Sequence, residues 1–452
     1  MSGFDSMVVK PCRVINGTIK VPGDKSISHR VAMLSGLATG ESIIEGFLTA
    51  EDCLNTLRAI EAMGATVYRD GDLVRVTGTG GRFRAPLDVL DMGNSGTGMR
   101  LLAGLLAGQD FISEMTGDAS LRSRPMRRIK EPLELMGAKV ELIGSNGCAP
   151  VRIHGGHLKS LKYTTPVASA QVKSCVLFAG LFADGRTSVT EPKATRDHTE
   201  KVLEGVGVPV KIDGLRISID GYGSAGPNFK GRNWDIPGDF SSAAFWLVAA
   251  AVSKGSQIAV ENVGLNPRRI ALLDVLRRMG AEVEVRGQMT DDRGQRTEIG
   301  NRKSEISWEA MGTIMVRGGE LKGTVIGGDE IPNLIDELPI AAVAGALAEG
   351  RTIIRDAAEL RVKESDRIAT MAKALTSLGV KVEEKPDGMI IHGRARIKGG
   401  AVIDSHGDHR IAMATAMLAF SADSPVRIDN IACINTSYPS FLDHFKQLAG
   451  SK

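Results

Sequence analysis

Small polar residues and cations stand together at four points where apolar helices are predicted to begin. These stretches carry Lys25, Ser26 and Arg30; Asn94, Ser95, Gly96, Thr97 and Arg100; Ser169, Gln171 and Lys173; and His409 with Arg410. The first turn of a helix leaves backbone N–H groups unpaired, and the helix dipole adds partial positive charge there, so such ends bind anions. If the fold brings these ends together, they form a pocket for a small molecule with several negative charges.

The string DKS at 24–26 differs from the phosphate-binding loop of nucleotide kinases. That loop needs Gly directly before its Lys, whereas Asp24 precedes Lys25 in this chain. The sequence therefore disfavours a nucleotide kinase.

A further cluster, SLRSRPMRR at 120–128, contains Arg122, Arg124, Arg127 and Arg128. Most of these arginines are expected on a solvated face.

Two more strings combine cations with carboxylates. RVKESDR at 361–367 is predicted to place Lys363 and Arg367 on one face of a helix, with Glu364 between them. In IDELP, Asp336 and Glu337 stand at the predicted start of an apolar helix, where the helix dipole alone would favour them. Each string by itself is also explained by a salt-bridged or capped helix.

The elements that must position these residues form an internal repeat. An apolar residue followed by Gly ends a helical pattern at Gly64, Gly137, Gly207, Gly280 and Gly379, and FKQLAG ending at Gly450 is a sixth case. Each Gly is predicted to cap a helix with a positive φ. A second, almost uncharged helix recurs between these points. Pro22-Gly23-Asp24 and Pro237-Gly238-Asp239 occupy the same place in two repeats. Six units that mix helices with short strands indicate an α/β fold.

Composition narrows the class of protein further. A chain of 452 residues is expected to form two domains. A net charge of +3 and only four tyrosines argue against a nucleic-acid surface. The five cysteines lack metal-binding spacing, and the longest apolar run, residues 243–252, is too short to cross a bilayer. With no apolar secretory segment near Met1, the sequence predicts a cytoplasmic protein that binds neither nucleic acid nor membrane.

Eight strings in order across nearly the whole chain carry a family resemblance. They are PGDKSISHR, GNSGTGMRLL, SRPM, ASAQVKS, TRDHTEKVL, NLIDELPIAA, RVKESDR and GDHRIAM. Together they resemble the 5-enolpyruvylshikimate-3-phosphate synthases, the enolpyruvyl transferases of the shikimate pathway. The SAQ string and Arg196 resemble the class II form of that family.

The resemblance implies an inside-out α/β barrel in two similar domains, each built from three βαβαββ units around buried helices. One domain would comprise residues 1–22 plus 238–452, and the other residues 23–237. The chain would cross between them near 21–24 and 236–239, with the active site in the interdomain cleft and domain closure on the anionic substrate. No cofactor or metal is implied. We expect a monomer, because the sequence contains no evident additional interface element.

The implied reaction transfers the enolpyruvyl group of phosphoenolpyruvate to the 5-hydroxyl of shikimate 3-phosphate. The residues that match the family's shikimate 3-phosphate site are Lys25, Ser26, Arg30, Ser169, Ala170, Gln171, Arg196, Asp336 and Lys363. Those that match its phosphoenolpyruvate site are Lys25, Asn94, Gly96, Arg124, Gln171, Arg367 and Arg410. Asp336 would be the base on the 5-hydroxyl, Glu364 the proton donor to C3, and Lys25 a contact to both substrates. Arginine suits such carboxylate and phosphate groups.

Two positions qualify the resemblance. Thr436 stands where many members have a Lys near phosphoenolpyruvate, and either Lys173 or Arg100 is a candidate for the compensating cation. Glyphosate, the family's inhibitor, occupies the phosphoenolpyruvate site. Some tolerant class II members have Ala where this chain has Gly96, so the resemblance does not imply glyphosate tolerance.

Two other kinds of protein are alternatives to this interpretation. A UDP-N-acetylglucosamine enolpyruvyl transferase shares the repeats but has a reactive Cys before its Arg-Pro pair, where this chain has Ala119. A non-catalytic anion- or RNA-binding repeat protein would not need paired acid and base carboxylates. A phosphate-release assay separates these possibilities. Phosphoenolpyruvate would release phosphate with shikimate 3-phosphate as acceptor if the resemblance holds, and with UDP-N-acetylglucosamine if the first alternative does.

Overall fold

The computed structural model describes residues 5–290, 296–299, 308–394 and 396–449. The chain divides into two compact units. Unit 1 comprises Met1–Pro22 with Pro237–Lys452, and unit 2 comprises Gly23–Ile236. Pro237 groups with unit 1, although the sequence analysis assigned it to the other domain.

The described residues form twelve α-helices, which alternate along the chain between a buried and a half-exposed type. They are α1 Lys25–Leu37, α2 Glu51–Ala62, α3 Gly96–Ala107, α4 Arg127–Met136, α5 Ala170–Gly180, α6 His198–Gly205, α7 Phe240–Ala251, α8 Ala271–Met279, α9 Leu338–Leu347, α10 Arg367–Ser377, α11 His409–Ala419 and α12 Phe441–Ala449.

Short strands separate these helices. They are β1 Ser6–Val9, β2 Asn16–Lys20, β3 Glu41–Glu45, β4 Thr66–Asp70, β5 Leu73–Thr77, β6 Leu90–Asp91, β7 Ile112–Thr116, β8 Lys139–Leu142, β9 Val151–His154, β10 Leu158–Lys159, β11 Lys162–Thr164, β12 Ala183–Asp184, β13 Arg186–Thr190, β14 Val210–Asp213, β15 Arg216–Asp220, β16 Asn233–Asp235, β17 Gln257–Gly264, β18 Glu282–Thr290, β19 Arg296–Ile299, β20 Met311–Arg317, β21 Val325–Ile326, β22 Arg351–Ile354, β23 Lys381–Lys385, β24 Gly388–His392, β25 Val402–Asp404 and β26 Val426–Asp429.

Unit 2 repeats one sheet topology three times. Its four-stranded sheets have the orders β16-β3-β5-β4, β6-β7-β9-β8 and β11-β13-β15-β14. In each sheet the first pair is parallel and the other two pairs are antiparallel. The same scheme of strand pairing, three times over, is the periodicity that the sequence predicted for this part of the chain.

Unit 1 repeats the scheme with additions. One sheet has the order β21-β22-β24-β23, and a second adds β19 at the edge of β18-β20-β17-β2. The third sheet has the order β1-β26-β25. Since β2 pairs in parallel with β17, and β1 antiparallel with β26, the first residues of the chain complete two of these sheets.

A polar insert lies between β18 and β20 and contains the start of a hairpin. β18 and β19 pair antiparallel within it, from Gly287 opposite Ile299 to Thr290 opposite Arg296. Residues 291–295 and 300–307 of this insert lie outside the described part of the chain.

The first helix of each repeat is almost entirely buried, because it has few charged residues beyond its first turn. All of α7 is buried, as are nine of the ten residues of α9. In unit 1, α7, α9 and α11 pack against one another, and in unit 2, α3 packs against α1 and α5. The predicted α/β class with buried helices is confirmed.

The second helix of each repeat ends as the sequence predicted. Gly64, Gly137, Gly207, Gly280 and Gly379 have φ values of 101°, 111°, 86°, 102° and 89°. This left-handed conformation suits glycine, which has no Cβ to clash with the following carbonyl. The sixth position, Gly450, lies outside the described residues.

Candidate active site

The start of α1 in unit 2 holds Lys25 in an ion pair. Asp24 caps the helix, and its Oδ1 accepts a 2.9 Å hydrogen bond from the Ile27 backbone N–H. Lys25 Nζ forms an ion pair with Asp52 on α2, whose side chain is buried. The lysine keeps about a fifth of its side chain exposed, which leaves its ammonium group accessible to an anion. The Asp52 partner was missed by the sequence analysis.

Arg30, one turn further along α1, is buried in a network that joins three helices. Its Nε donates to Thr199 Oγ1 over 2.6 Å, and its Nη2 donates to Ser174 Oγ over 2.8 Å. Its Nη1 donates to the carbonyl oxygen of Ser26 over 2.8 Å. The guanidinium therefore ties α5 and α6 to the backbone of the α1 start, beside Lys25.

His29 joins the starts of α1 and α3. Its Nδ1 lies 2.7 Å from Thr56 Oγ1, and its Nε2 lies 3.2 Å from Oγ of Ser95, the residue that caps α3. Burial, followed by the charges of Lys25 and Arg30, holds the pKa of His29 well below its usual value. A neutral imidazole is expected at this junction, so the cations of the α1 start are not joined by a third positive charge.

Asn94 and Arg124 meet at the start of α3. Arg124 is buried, and its Nη2 donates to Asn94 Oδ1 over 2.6 Å and to Ser120 Oγ over 3.0 Å. Asn94 Nδ2 donates in turn to Asp118 Oδ2 over 2.7 Å. In the cluster of four arginines, Arg124 is thus held within the fold, whereas Arg122 and Arg127 are exposed, as expected for a solvated face.

Gln171 at the start of α5 reaches this same cluster. Arg100 Nη1 donates to Gln171 Oε1 over 2.8 Å, and Gln171 Nε2 donates to Thr97 Oγ1 over 2.9 Å. A Cβ on Gly96 would lie 3.1 Å from Arg100 Nη1 and 3.3 Å from Arg124 Nη1. Four residues predicted for the phosphoenolpyruvate site, Asn94, Gly96, Arg124 and Gln171, are therefore neighbours in unit 2.

Lys173 does not supply the compensating cation that the sequence suggested. Its side chain is 1% exposed, and its Nζ lies 2.9 Å from Glu191 Oε2 and 2.7 Å from Glu200 Oε1. Burial by itself lowers the pKa of Lys173, but the two carboxylates outweigh it and raise that pKa. The charge is neutralised inside the fold, which leaves Arg100 as the remaining candidate of the two.

Ser169 precedes Lys173 at the start of α5, and Arg196 follows Lys173 in the loop before α6. Ser169 caps α5 and accepts a 3.4 Å hydrogen bond from the Val172 N–H, and Ala170 is the first residue of the helix. Arg196 is half-buried in the loop before α6. That loop is anchored at Glu191, which accepts from the Thr195 hydroxyl while it pairs with Lys173.

In unit 1, three arginines surround Asp336. Arg367 Nη1 lies 3.4 Å from Asp336 Oδ1, while Arg269 Nη1 and Arg410 Nη2 each lie 3.9 Å from Oδ2. Arg410 Nη1 also donates to the Asp336 carbonyl oxygen over 2.8 Å. Burial, followed by the charge of Arg367, lowers the pKa of Arg410. Such an environment favours the binding of an anion near Arg410.

Arg367 is the most buried of these cations, with 1% of its side chain exposed. Its Nε donates to Asp408 Oδ2 over 2.8 Å, and its Nη2 donates to Glu364 Oε2 over 2.5 Å. Burial lowers the pKa of Arg367, but Asp408 and Glu364 outweigh this effect and raise it. Asp408, which caps α11, was missed by the sequence analysis although it lies in the quoted GDHRIAM string.

The prediction that Lys363 and Arg367 share one helical face is wrong. A 3₁₀ helix covers Ala358–Val362, and Lys363 follows it with an extended backbone at φ −86° and ψ −151°. Helix α10 begins only at Arg367, after Asp366 as its cap. The side chain of Asp366 accepts a 3.0 Å hydrogen bond from the Ala369 N–H, and this bond fixes the start of the helix. Lys363 is half-buried in the segment before the cap.

Asp336 and Glu337 do not serve as simple caps of a helix. Glu337 has the cap position of α9, but its side chain makes no capping hydrogen bond. Instead it is buried, and its Oε1 accepts from the Ser241 hydroxyl on α7 and lies 3.9 Å from Arg410 Nη1. Arg269 and Ser241 were missed because neither stands in a string with an evident role.

The described residues offer no group of three or more His, Cys, Asp or Glu that could hold a metal ion. Within that same part of the chain, no helix is long and apolar enough to cross a membrane.

Thr436 lies at the end of a 3₁₀ helix, where its hydroxyl donates to the Cys433 carbonyl oxygen over 2.7 Å.

Comparison with known proteins agrees with this arrangement. The family model described as EPSP synthase (3-phosphoshikimate 1-carboxyvinyltransferase) matches residues 9–445. The 3-phosphoshikimate 1-carboxyvinyltransferase of Akkermansia muciniphila is 50% identical over 437 residues, which cover 94% of this chain and 96% of that protein. Its counterpart in Alkalilimnicola ehrlichii is 50% identical over 440 residues, with coverage of 96% and 94%.

Comparison with solved structures also finds enolpyruvyl transferases. The EPSP synthase of Acinetobacter baumannii aligns with a TM-score of 0.84 and 42% identity, and the alignment covers 98% of each chain. An enolpyruvyl transferase of Streptomyces tendae shares the fold, with a TM-score of 0.77 at 15% identity over 99% of this chain and 98% of that one. By sequence and by structure, the chain belongs to the EPSP synthase (3-phosphoshikimate 1-carboxyvinyltransferase) family.

Proposed function

We propose that this protein transfers the enolpyruvyl group of phosphoenolpyruvate to the 5-hydroxyl of shikimate 3-phosphate. The products are 5-enolpyruvylshikimate 3-phosphate and phosphate. The observation that carries the proposal is the family match over residues 9–445, together with relatives of that activity at 50% identity. The clusters around Arg124 in unit 2 and around Asp336 in unit 1 supply the cations and carboxylates that such a reaction needs.

The chemistry has two steps. In the first, the 5-hydroxyl oxygen bonds to C2 of phosphoenolpyruvate and loses its proton, while C3 gains a proton and becomes a methyl group. In the second, the tetrahedral intermediate loses phosphate from C2 and a proton from C3, which restores the double bond. A base, an acid and several fixed cations are therefore required.

The residues divide these tasks between the two units. We assign the base on the 5-hydroxyl to Asp336 and the proton exchange at C3 to Glu364. Lys25, Arg124, Arg367 and Arg410, with Asn94, Gly96 and Gln171, would bind phosphoenolpyruvate. Ser26, Arg30, Ser169, Ala170, Gln171, Arg196 and Lys363 would bind shikimate 3-phosphate with Lys25 and Asp336. These roles rest on the family motifs and on the neighbours described above.

The contact between Glu364 and Arg367 bears on the acid role. A 2.5 Å hydrogen bond from the buried guanidinium of Arg367 favours the ionised form of the Glu364 carboxylate. The carboxylate of phosphoenolpyruvate would compete for Arg367 and so weaken this ion pair. We infer that Glu364 takes up its proton only when the substrate is bound.

The alternative acceptor is disfavoured. A UDP-N-acetylglucosamine transferase needs a reactive Cys before its Arg-Pro pair, and this chain has none between Cys53 and Cys148. The test is phosphate release from phosphoenolpyruvate with purified protein. We expect release with shikimate 3-phosphate and none with UDP-N-acetylglucosamine, and the reverse result would refute the assignment.

The remaining expectations are proposals of the same kind. We place the enzyme in the cytoplasm as a monomer that needs no partner beyond its two small-molecule substrates. Closure of the two domains on shikimate 3-phosphate would reduce the radius of gyration in small-angle scattering. An unchanged radius at saturating ligand would count against closure.

A further inference from the structure

A buried charged cluster lies at the start of α7 in unit 1, at the second Pro-Gly-Asp stretch. Its centre is Arg269, which has 4% of its side chain exposed. Arg269 Nη2 donates to Ser241 Oγ over 2.6 Å, and the Ser241 hydroxyl donates in turn to Glu337 Oε1. The chain from Arg269 through Ser241 to Glu337 thus connects α7 with the residue before α9.

Three carboxylates face the Arg269 guanidinium. Its Nη2 lies 3.6 Å from Asp239 Oδ1 and 3.8 Å from Glu337 Oε1, and its Nη1 lies 3.9 Å from Asp336 Oδ2. Carboxylates this deep in a protein are stable as ions only when a cation or hydrogen-bond donors compensate them. Arg269 is therefore a counter-charge shared by Asp336, the proposed base, and by the buried Asp239 and Glu337.

The same carboxylates face Arg410, which we assign to phosphoenolpyruvate. Arg410 Nη2 lies 3.9 Å from Asp336 Oδ2, and Arg410 Nη1 lies 3.9 Å from Glu337 Oε1. If Arg269 were removed, the Glu337 carboxylate would draw on Arg410 for compensation. Arg410 would then move away from its position at the substrate. Asp336 would also lose part of the positive charge that holds its carboxylate in place.

The backbone that carries Arg269 is held by its own turn. The Arg269 N–H donates to the Asn266 carbonyl oxygen over 2.8 Å, and the Arg268 N–H donates to Asn266 Oδ1 over 2.9 Å. Asn266 Nδ2 lies 3.3 Å from Oε2 of the buried Glu309. A guanidinium fixed in this way is preorganised to orient its partners rather than to follow a substrate.

We propose that Arg269 is a positioning residue, which fixes the carboxylate of Asp336 and compensates Glu337 so that Arg410 remains directed at the substrate. This inference rests on the proposed function, in which Asp336 is the base. It assigns no direct substrate contact to Arg269.

The first test is a double-mutant cycle with Asp336. We expect Arg269→Gln to lower kcat about 100-fold, as misplaced catalytic groups do, with little change in the KM for shikimate 3-phosphate. In an Asp336→Asn background, the same change should lower the residual single-turnover rate by only about tenfold, because the part of its effect that acts through Asp336 is already lost and only the part that acts through Glu337 and Arg410 remains. Independent, multiplicative effects in that background would overturn the proposal.

The second test restores the balance of charge around Arg410 with a second substitution. Arg269→Gln combined with Glu337→Gln removes one positive and one negative group, so Arg410 is no longer drawn away. We expect the double variant to recover about tenfold in kcat over Arg269→Gln alone. A double variant slower than the single one would show that the cluster only supports the fold, and this result would also refute the proposal.

Two further variants keep the outcome interpretable. Arg268→Gln on the same turn should retain the kcat of the parent enzyme. If Arg269→Gln does not fold, Arg269→Lys, which keeps the charge but loses the fork of donors, should fold and show a lower kcat with an unchanged thermal midpoint. Full activity of Arg269→Lys would refute the positioning role. An inactive parent enzyme would instead refute the proposed function.

Discussion

Glu364 has to satisfy two opposite requirements in the proposed reaction. It must hold a proton for C3 of phosphoenolpyruvate, yet its Oε2 accepts a 2.5 Å hydrogen bond from Arg367, which favours the ionised carboxylate. The side chain is about one-fifth exposed, so a substrate can reach it. Its charge state is therefore expected to depend on whether a substrate carboxylate has taken over Arg367.

Glu364→Gln tests this requirement directly. The amide keeps the shape and can still accept from Arg367, but it cannot exchange a proton at C3. We expect kcat to fall at least about 100-fold, with the KM for phosphoenolpyruvate changed only a few-fold. Steady-state phosphate release measures both constants. Glu349→Gln, at an exposed ion pair with Arg394, is the matched control and should behave as the parent. A Glu364→Gln enzyme nearly as active as the parent would refute the assignment.

Gly96 sets the space between two guanidinium groups. A Cβ there would lie 3.1 Å from Arg100 Nη1 and 3.3 Å from Arg124 Nη1, tighter than an ordinary contact. We expect Gly96→Ala to displace these groups and to raise the KM for phosphoenolpyruvate about tenfold, with a smaller change in kcat. Inhibition by glyphosate should weaken in parallel.

The control for this change is Gly156→Ala, because a Cβ at Gly156 would meet nothing within 4 Å. Its kinetic constants should match those of the parent. If Gly96→Ala left the KM for phosphoenolpyruvate unchanged, Gly96 would not lie at the phosphoenolpyruvate site.

At the scale of elements, the helix starts are joined by polar groups that are far apart in sequence. His29 connects α1 to Thr56 on α2 and to the Ser95 cap of α3. Its pKa is held well below the usual 6.5, chiefly by burial. The unfolded chain therefore takes up a proton at this residue as the pH falls below 6.5, whereas the folded protein does not.

The free energy of unfolding should consequently decline as the pH falls from 7 to 5. A single proton taken up only by the unfolded state costs at most about 1.4 kcal/mol per pH unit. His29→Gln keeps hydrogen-bonding groups for Thr56 and Ser95 but does not titrate, so this variant should lose less stability over the same range. Urea unfolding at both pH values measures the difference. Equal losses in the parent and in His29→Gln would contradict the prediction, and exposed His157→Gln serves as the control.

The two Pro-Gly-Asp stretches are alike as elements and different in chemistry. Asp24 and Asp239 each accept a hydrogen bond from a backbone N–H at the start of a buried helix. A Cβ on Gly23 would lie 1.8 Å from the Gly46 carbonyl oxygen, so the first stretch requires glycine. Lys25 follows the first cap in sequence, whereas the cation of the second is Arg269, thirty residues beyond Asp239.

At the scale of the whole molecule, the two units differ in how the chain builds them. Unit 2 is one continuous segment, Gly23–Ile236, with three complete four-stranded sheets among its described residues. Unit 1 needs two segments, because β2 pairs with β17 and β1 pairs with β26. Without residues 1–22, two of its sheets would expose an unpaired strand.

We therefore expect a fragment of residues 23–236 to fold cooperatively by itself. A fragment of residues 237–452 should unfold at lower urea concentration or aggregate, since unpaired strand edges are prone to associate. Joining residues 1–22 to the end of the second fragment through a flexible linker should restore a cooperative transition. Circular dichroism during urea unfolding measures all three. A bare 237–452 fragment as stable as the joined one would contradict this account.

The sequence by itself determined the features that depend on neighbouring residues. Gly caps, helix starts and the sixfold repeat follow from local backbone geometry and from the periodicity of apolar residues, and they led to the α/β class. The family resemblance rested on the eight motif strings. The helical face assigned to Lys363 and Arg367 failed because Asp366 caps a helix that begins only at Arg367.

Only the tertiary structure decided which charges are compensated. The sequence made Lys173 a candidate for a substrate cation, but in the structure Glu191 and Glu200 neutralise its charge. Arg30 lies beside Thr199, and Arg269 beside Asp336 and Glu337, across long separations along the chain. Hydrogen bonds and ion pairs between distant segments leave no periodic signal, because any polar side chain at the right place in the fold can supply them.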